Sequence, residues 1–294
     1  MSSTNVTSTP VENMSVATED APYRAPRVPL SRRIKSIDKV VVVGWVVVFV
    51  ALIGLWQLAV TQGWINRLYA ATPRETGKRL LDLLTSSTFY DNAGVTLSET
   101  AGGWLLGSSF GLLAGLVLGR WRRLSAVFDP YLTFANATPK IALAPFFILW
   151  FGVDQESKIV LAATIVFFIV QVPVQSAVST VQPDLELVAT TMGATELQKF
   201  AKVVLPGIMA PLFGALRLAL VYSLLAVVLG EFIAARKGLG QQLISSSNQF
   251  DMATAFAVMI VLAFIAVIIN SGLGAIERYF LRWQSASSGK TVSV

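Results

Sequence analysis

The chain contains no cysteine and no histidine among its 294 residues. Disulfides, thiolate zinc sites, histidine metal sites and Ser-His-Asp or Cys-His catalysis are therefore excluded. Charge is scarce too. Asp, Glu, Lys and Arg make up 14% of the sequence, where a soluble domain carries about 25%. Apolar residues supply 54%, and the mean hydropathy is +0.64. Such a chain belongs in a bilayer. Its net charge of +6 is what basic loops beside membrane spans produce, and it gives no ground for nucleic-acid binding.

The first 38 residues are of different material, rich in Ser, Thr, Pro and charge. They hold too few large apolar groups to build a core, so a disordered tail is expected. They lack the short apolar stretch of a signal peptide. Asn5-Val6-Thr7 matches a glycosylation acceptor only by chance. A second polar tail is expected at 284–294, which leaves 39–283 as the membrane domain.

A spanning helix needs about 20 apolar residues. Four runs qualify cleanly: Val40–Val60, Thr100–Gly119, Ile159–Val181 and Met252–Ile276. Two more carry interruptions. Pro130–Val153 holds Pro139, Lys140 and Pro145, and Gly207–Gly230 holds Arg217. The expected fold is all-α and polytopic, with about six spans, the third kinked or broken at Pro139–Pro145. With both termini inside, the inner segments hold fifteen Lys and Arg and the outer ones seven. The positive-inside rule therefore favours N-in, C-in.

Along the second span Gly103, Gly107, Gly111, Gly115 and Gly119 recur every four residues. A glycine row lets another helix approach backbone to backbone. The neighbour is another helix of the same chain or one of a second subunit.

Between spans four and five lies ATTMGATELQKFAKVVLP, residues 189–206. Leu197, Phe200, Ala201 and Val204 fall at helical spacing on one face, with Glu196, Gln198, Lys199 and Lys202 on the other. The stretch resembles the cytoplasmic signature of bacterial ABC-importer permeases, E-A-A-x3-G-x9-I-x-L-P. Ala189, Gly193, Leu205 and Pro206 match at the right spacing, and Val203 stands for the Ile. Leu187 and Val188 depart from it, although a Glu sits one place earlier at 186. Four other pieces of the resemblance follow the same order: DPYL (129–132), PKIALAPFFILWFG (139–152), GALRLAL (214–220), and Glu231 leading to Gly238-Leu239-Gly240. The resemblance is nearest to the nitrate, sulfonate, taurine and pyrimidine-precursor branch.

The resemblance implies a permease with no ATPase site of its own and no cofactor. ATP and magnesium would sit on a partner ATPase, present as a pair. Two permease chains and an extracytoplasmic substrate-binding protein would complete the assembly. The coupling residues would be Ala189, Gly193, Leu197, Phe200, Ala201, Leu205 and Pro206. Helix-in-groove docking buries one apolar stripe, Gly193 permits a sharp turn, and Pro206 stops the docked helix before the fifth span. An amphipathic helix also rests well on lipid headgroups, but the spacing match favours docking. SSGKT at 287–291 is no phosphate loop, because the required glycine at 284 is Gln.

Ionisable groups within spans face cavities or one another. Here they are Glu99, Lys140, Arg217 and Glu231. Arg217 suits either an oxyanion or a structural carboxylate partner, and Glu231 either caps the GLG turn or gates an exit. The third span is a candidate path, lined by Asn136 and Thr138 beside Pro139 and Pro145, with Arg217 and Glu231 as further path residues. An ion-coupled secondary transporter would need inverted repeats and mid-membrane carboxylates; no repeat is visible, and the acids sit near span ends. A membrane enzyme would need a clustered acid/base or metal set, and the inventory is thin.

Overall fold

The computed structural model describes residues 39–181 and 183–282, and every regular element among them is helical. The tails expected at 1–38 and 284–294 lie outside the described residues. The chain divides into two units, Met1–Phe49 and Val50–Val294. Among described residues the first contributes only the opening turns of α1 (Lys39–Thr61). The second holds the rest of α1 and every other described helix.

Five helices are long and apolar enough to cross a membrane, and a bent pair supplies a sixth. Besides α1 they are α3 (Ser87–Arg120), α6 (Gln155–Ser179), α9 (Leu205–Ile233) and α11 (Met252–Phe280). The bent pair is α4 (Arg122–Ala137) with α5 (Ala144–Phe151), turned by 81° across a short 3-10 turn at Lys140–Leu143. The break falls where proline chemistry puts it. Thr138 is extended at ψ 133° because it precedes Pro139, and Pro145 sits in the first turn of α5.

The packing centre is α6 between α3 and α9. Val166, Val170, Val174 and Val178 form one stripe at four-residue spacing and pack with Ile208, Leu212 and Ala219. On the other side lies the glycine row of α3. A Cβ at Gly103 would collide with the Ala162 Cβ, and one at Gly107 would meet the Ala163 carbonyl at 2.5 Å. At Gly119 it would meet the Val178 Cβ at 2.6 Å. The neighbour of the row is thus α6 of the same chain, not a second subunit.

Two helices were absent from the sequence expectation. α2 (Pro73–Leu84) opens with a capping box, Thr72 to Glu75, and Pro73 at its first position. α10 (Leu239–Asn248) follows the GLG turn. Leu83, Phe89 and Leu239 join Ala257, Val258 and Val261 in a second apolar cluster. Arg79 ties α2 to α11, with Nε donating to Thr254 at 2.6 Å and a 3.3 Å ion pair to Asp251.

Two of the basic residues counted toward sidedness, Lys140 on the inner side and Lys158 on the outer, do not lie in loops. Lys158 is buried within α6, and Lys140 lies in the break of the third span, its Nζ over the Phe168 ring. Without them the charge count becomes fourteen to six, so the asymmetry survives.

Candidate functional site

Between α6 and α9 the polar segment folds as helix, turn, helix. α7 (Pro183–Thr191) ends in a left-handed cap: the Ala194 N–H donates to the Ala189 carbonyl and the Gly193 N–H to that of Thr190, each at 3.0 Å. Gly193 takes φ +76°, and a Cβ there would meet open space. Backbone conformation, not crowding, therefore favours glycine. Two residues later Thr195 begins α8 (Glu196–Lys199) with a second capping box, paired with Gln198. Adjacent caps produce the sharp reversal.

One expectation fails here. Pro206 does not stop the helix. Residues 196–233 run as one continuous helix, because a wide π turn at Phe200–Val204 sends the Leu205 N–H to the Phe200 carbonyl. A proline lacks the donor the ladder requires, and the widened turn ahead of it accommodates the ring.

The segment shows a ridge of exposed apolar groups. Leu185, Leu187, Val188 and Met192 stand out from α7 and its end, and Leu197 (76% exposed) and Phe200 from the next helix. Ala201 and Leu205 are exposed too, Pro206 is half-buried and Val204 belongs to the core. Leu187, one of the two departures from the signature, adds to the ridge. At the surface Glu196 pairs with Arg120 of α3 at 3.0 Å and with Lys199 at 2.5 Å, while Lys199 also donates to Thr190.

The residues proposed for a path are not brought together. Asn136 lines a cleft of about 490 Å³ between α4 and α6, shared with Arg122, Ser125, Asp129, Gln171 and Gln175. Its carbonyl and side-chain oxygens both accept from Lys140 Nζ, at 2.7 and 3.1 Å. Thr138, Pro139 and Pro145 form the break instead, and the Thr138 hydroxyl bonds back to Phe134. Arg217 joins α9 to α11, donating to Asn270 Oδ1 and Glu277 Oε2 at 3.2 Å each. That is the carboxylate partner, not an open anion seat.

Glu231 is buried and caps α10. Its carboxylate accepts from Thr96 Oγ1 at 2.7 Å and from the Gly240 N–H at 2.6 Å, while Asn92 accepts from the Gly238 N–H. A Cβ at Gly238 would strike the Glu231 carboxylate. Beside it stand buried Glu99 and Lys158, 4.0 Å apart; the ammonium also meets the carbonyls of Val153 and Asp154. The lysine is satisfied by those carbonyls, whereas both Glu99 oxygens are buried without a hydrogen-bond partner among the described residues and meet the ammonium only at this long distance. Sequence reasoning missed Lys158, Asn92, Thr96 and the Gln171–Gln175 pair. The signal for the last was two amides four apart in an otherwise apolar run.

Comparison with known proteins agrees with this architecture. Residues 107–285 match the model of the binding-protein-dependent transport system inner membrane component family. The chain is 29% identical over 259 residues to the riboflavin transport system permease RibX of Chloroflexus aurantiacus, covering 87% of this chain and 97% of that one. It is 26% identical to the taurine transport system permease TauC of Escherichia coli, covering 87% and 92%. The formylaminopyrimidine transport permease ThiX of Halalkalibacterium halodurans is 27% identical, covering 80% and 94%. Among solved structures, the inward-facing MetNI methionine ABC transporter aligns with TM-score 0.58 at 20% identity, over 66% of this chain and 96% of that one. An alginate-importing bacterial ABC transporter aligns with TM-score 0.58 at 16% identity, over 83% and 93%. At such identities these two show the fold alone. The chain belongs to the family of inner membrane components of binding-protein-dependent transport systems.

Proposed function

We propose that this multi-pass permease of the bacterial inner membrane receives its driving force through segment 183–206, docked on a separate ATPase. The observation that carries this reading is the exposed apolar ridge from Leu185 to Phe200, held in shape by two adjacent helix caps. An apolar stripe on a short, braced helix is what helix-in-groove docking uses. The basic bias of the loops supports an inner-face position for the ridge. Two permease chains meet an ATPase pair, one ridge for each ATPase, and ATP and magnesium stay on the partner. A binding protein delivers the solute from outside. That solute is small and polar: a sulfonate- or nitrate-like oxyanion, or a pyrimidine precursor. The permease itself catalyses no reaction and binds no cofactor.

Isolating the chain with its neighbours tests this. A soluble ATPase should co-purify, and Gly193→Asp, Leu197→Asp or deletion of 194–202 should release it while the permease still reaches the membrane. Transport by the purified chain alone, driven by an ion gradient, would overturn the reading.

A further inference from the structure

The cleft between α4 and α6 holds a chain of polar side chains, Ser125, Asp129, Gln171 and Gln175, and their hydrogen bonds have a direction. Asp129 can only accept. Its Oδ2 accepts from Ser125 Oγ and its Oδ1 from Gln175 Nε2, both at 3.0 Å, and Gln175 Nε2 also donates to Ser125 at 2.9 Å. The amide nitrogen of Gln175 is therefore committed to α4, and its oxygen turns toward Gln171. Gln171 must answer with its own nitrogen, and Gln171 Nε2 does donate to Gln175 Oε1. One acceptor is left over. Gln171 is 1% exposed, and its Oε1 has no hydrogen-bond partner.

A buried unpaired amide oxygen is costly unless something meets it. The orientation of an amide is ordinarily ambiguous, but here the acceptor-only carboxylate at the head of the relay fixes it. No ion pair holds the second group of interest, Arg122, among the described residues. Arg122 lies about one helical turn before Ser125, and Gln171 about one turn before Gln175. Because α4 and α6 run antiparallel, with Gly119 against Val178 and Lys140 over Phe168, the two flank the bridge from opposite sides of the same cleft. A volume of about 490 Å³ is in the range that holds a small solute.

We infer that the α4–α6 cleft is a solute subsite for a small oxyanion carrying its own hydrogen-bond donor. Arg122 takes the anionic head, since a guanidinium meets planar or tetrahedral oxygens with paired N–H groups. Gln171 Oε1 takes an amine, amide or hydroxyl hydrogen from the same solute. A bare oxyanion satisfies the first group and leaves the second unpaired, so discrimination runs against solutes without a donor. This rests on reading the chain as a permease for small polar solutes, and it narrows that class.

The test uses the purified permease–ATPase complex without binding protein, titrated calorimetrically with taurine, isethionate, ethanesulfonate and nitrate. The first two carry a donor and the last two do not. Taurine and isethionate should bind at least tenfold more tightly than ethanesulfonate. Gln171→Met should reduce that preference below threefold with ethanesulfonate affinity unchanged, and Arg122→Gln should weaken all four. Should Gln171→Met fail to assemble, Asp129→Asn, at an exposed position, serves instead. Asn can accept from Gln175 through its own Oδ1 or donate through Nδ2, so the relay can take either polarity and the preference should weaken. Absence of binding to a complex that still hydrolyses ATP and transports, or an unchanged preference in both variants, would overturn the subsite while leaving the permease reading intact. A complex that shows no ATP-driven transport even when supplied with its binding protein would instead overturn the permease reading.

Discussion

Single residues here are constrained for two separate reasons, which substitution can tell apart. Gly193 stands in open space at φ +76°, so only backbone conformation opposes a side chain. Gly193→Ala should cost about 1–2 kcal/mol, and Gly193→Asn distinctly less because Asn tolerates the left-handed region. Thermal unfolding of the solubilised complex reads the difference. Gly238 bears both penalties, a φ of +126° and a carboxylate where its Cβ would be. Gly238→Ala should cost about 3 kcal/mol or more. The turn at Gly193 was legible in the sequence, because a glycine placed just before an amphipathic helical pattern, at the spacing of the permease signature, points to a change of chain direction. Gln171 was not. The i, i+4 amides hint at its pairing with Gln175, but that its remaining oxygen is left unpartnered depends on Ser125 and Asp129 of a helix distant in the chain, about which local pattern carries no information.

At the scale of elements, the α3 glycines offer an internal control. Gly102 faces only the end of the Ile159 side chain, at 3.3 Å, whereas Gly107 faces the Ala163 carbonyl at 2.5 Å. Gly102→Ala should stay within about 0.5 kcal/mol of wild type, and Gly107→Ala should lose roughly 1–3 kcal/mol as α3 is pushed from α6. α2 supplies a pH dependence. The Thr72 backbone N–H holds the Glu75 carboxyl below the usual range. A depressed folded value makes this contribution present above about pH 4.3 and lost as pH falls through the lower folded value. Protection factors over 73–84, with intrinsic exchange divided out, should fall on acidification, and Glu75→Gln should flatten the response. The six spans were readable because length and hydropathy suffice for them, and the third-span break because prolines announce it. α2 and α10 are too short and polar for that test, although Thr72-Pro73-Arg74-Glu75 is a capping signal open to the eye. The continuation of the helix past Pro206 was misjudged. A π turn is a concession made by neighbouring turns, and no single residue encodes it.

For the whole molecule the sharpest test is sidedness, and the cysteine-free sequence invites it. One cysteine at Gln198 or at Gln249 can be probed with a membrane-impermeant maleimide in right-side-out vesicles. The expected result is protection at 198 and labelling at 249; the reverse pattern would invert the topology. Sidedness bears on how effort crosses the bilayer. The helix from Glu196 to Ile233 is unbroken over 38 residues, about 57 Å at 1.5 Å per residue. Its first turn carries Leu197, and its last holds Glu231, whose carboxylate grips the start of α10. The two faces of the membrane are thus joined by one rod with a compliant joint at Phe200–Val204. An axial push or twist at the ridge need not be relayed through side-chain packing to reach the far end. On the docking proposed for the ridge, the same piece of secondary structure would deliver it, attenuated by how far that joint yields.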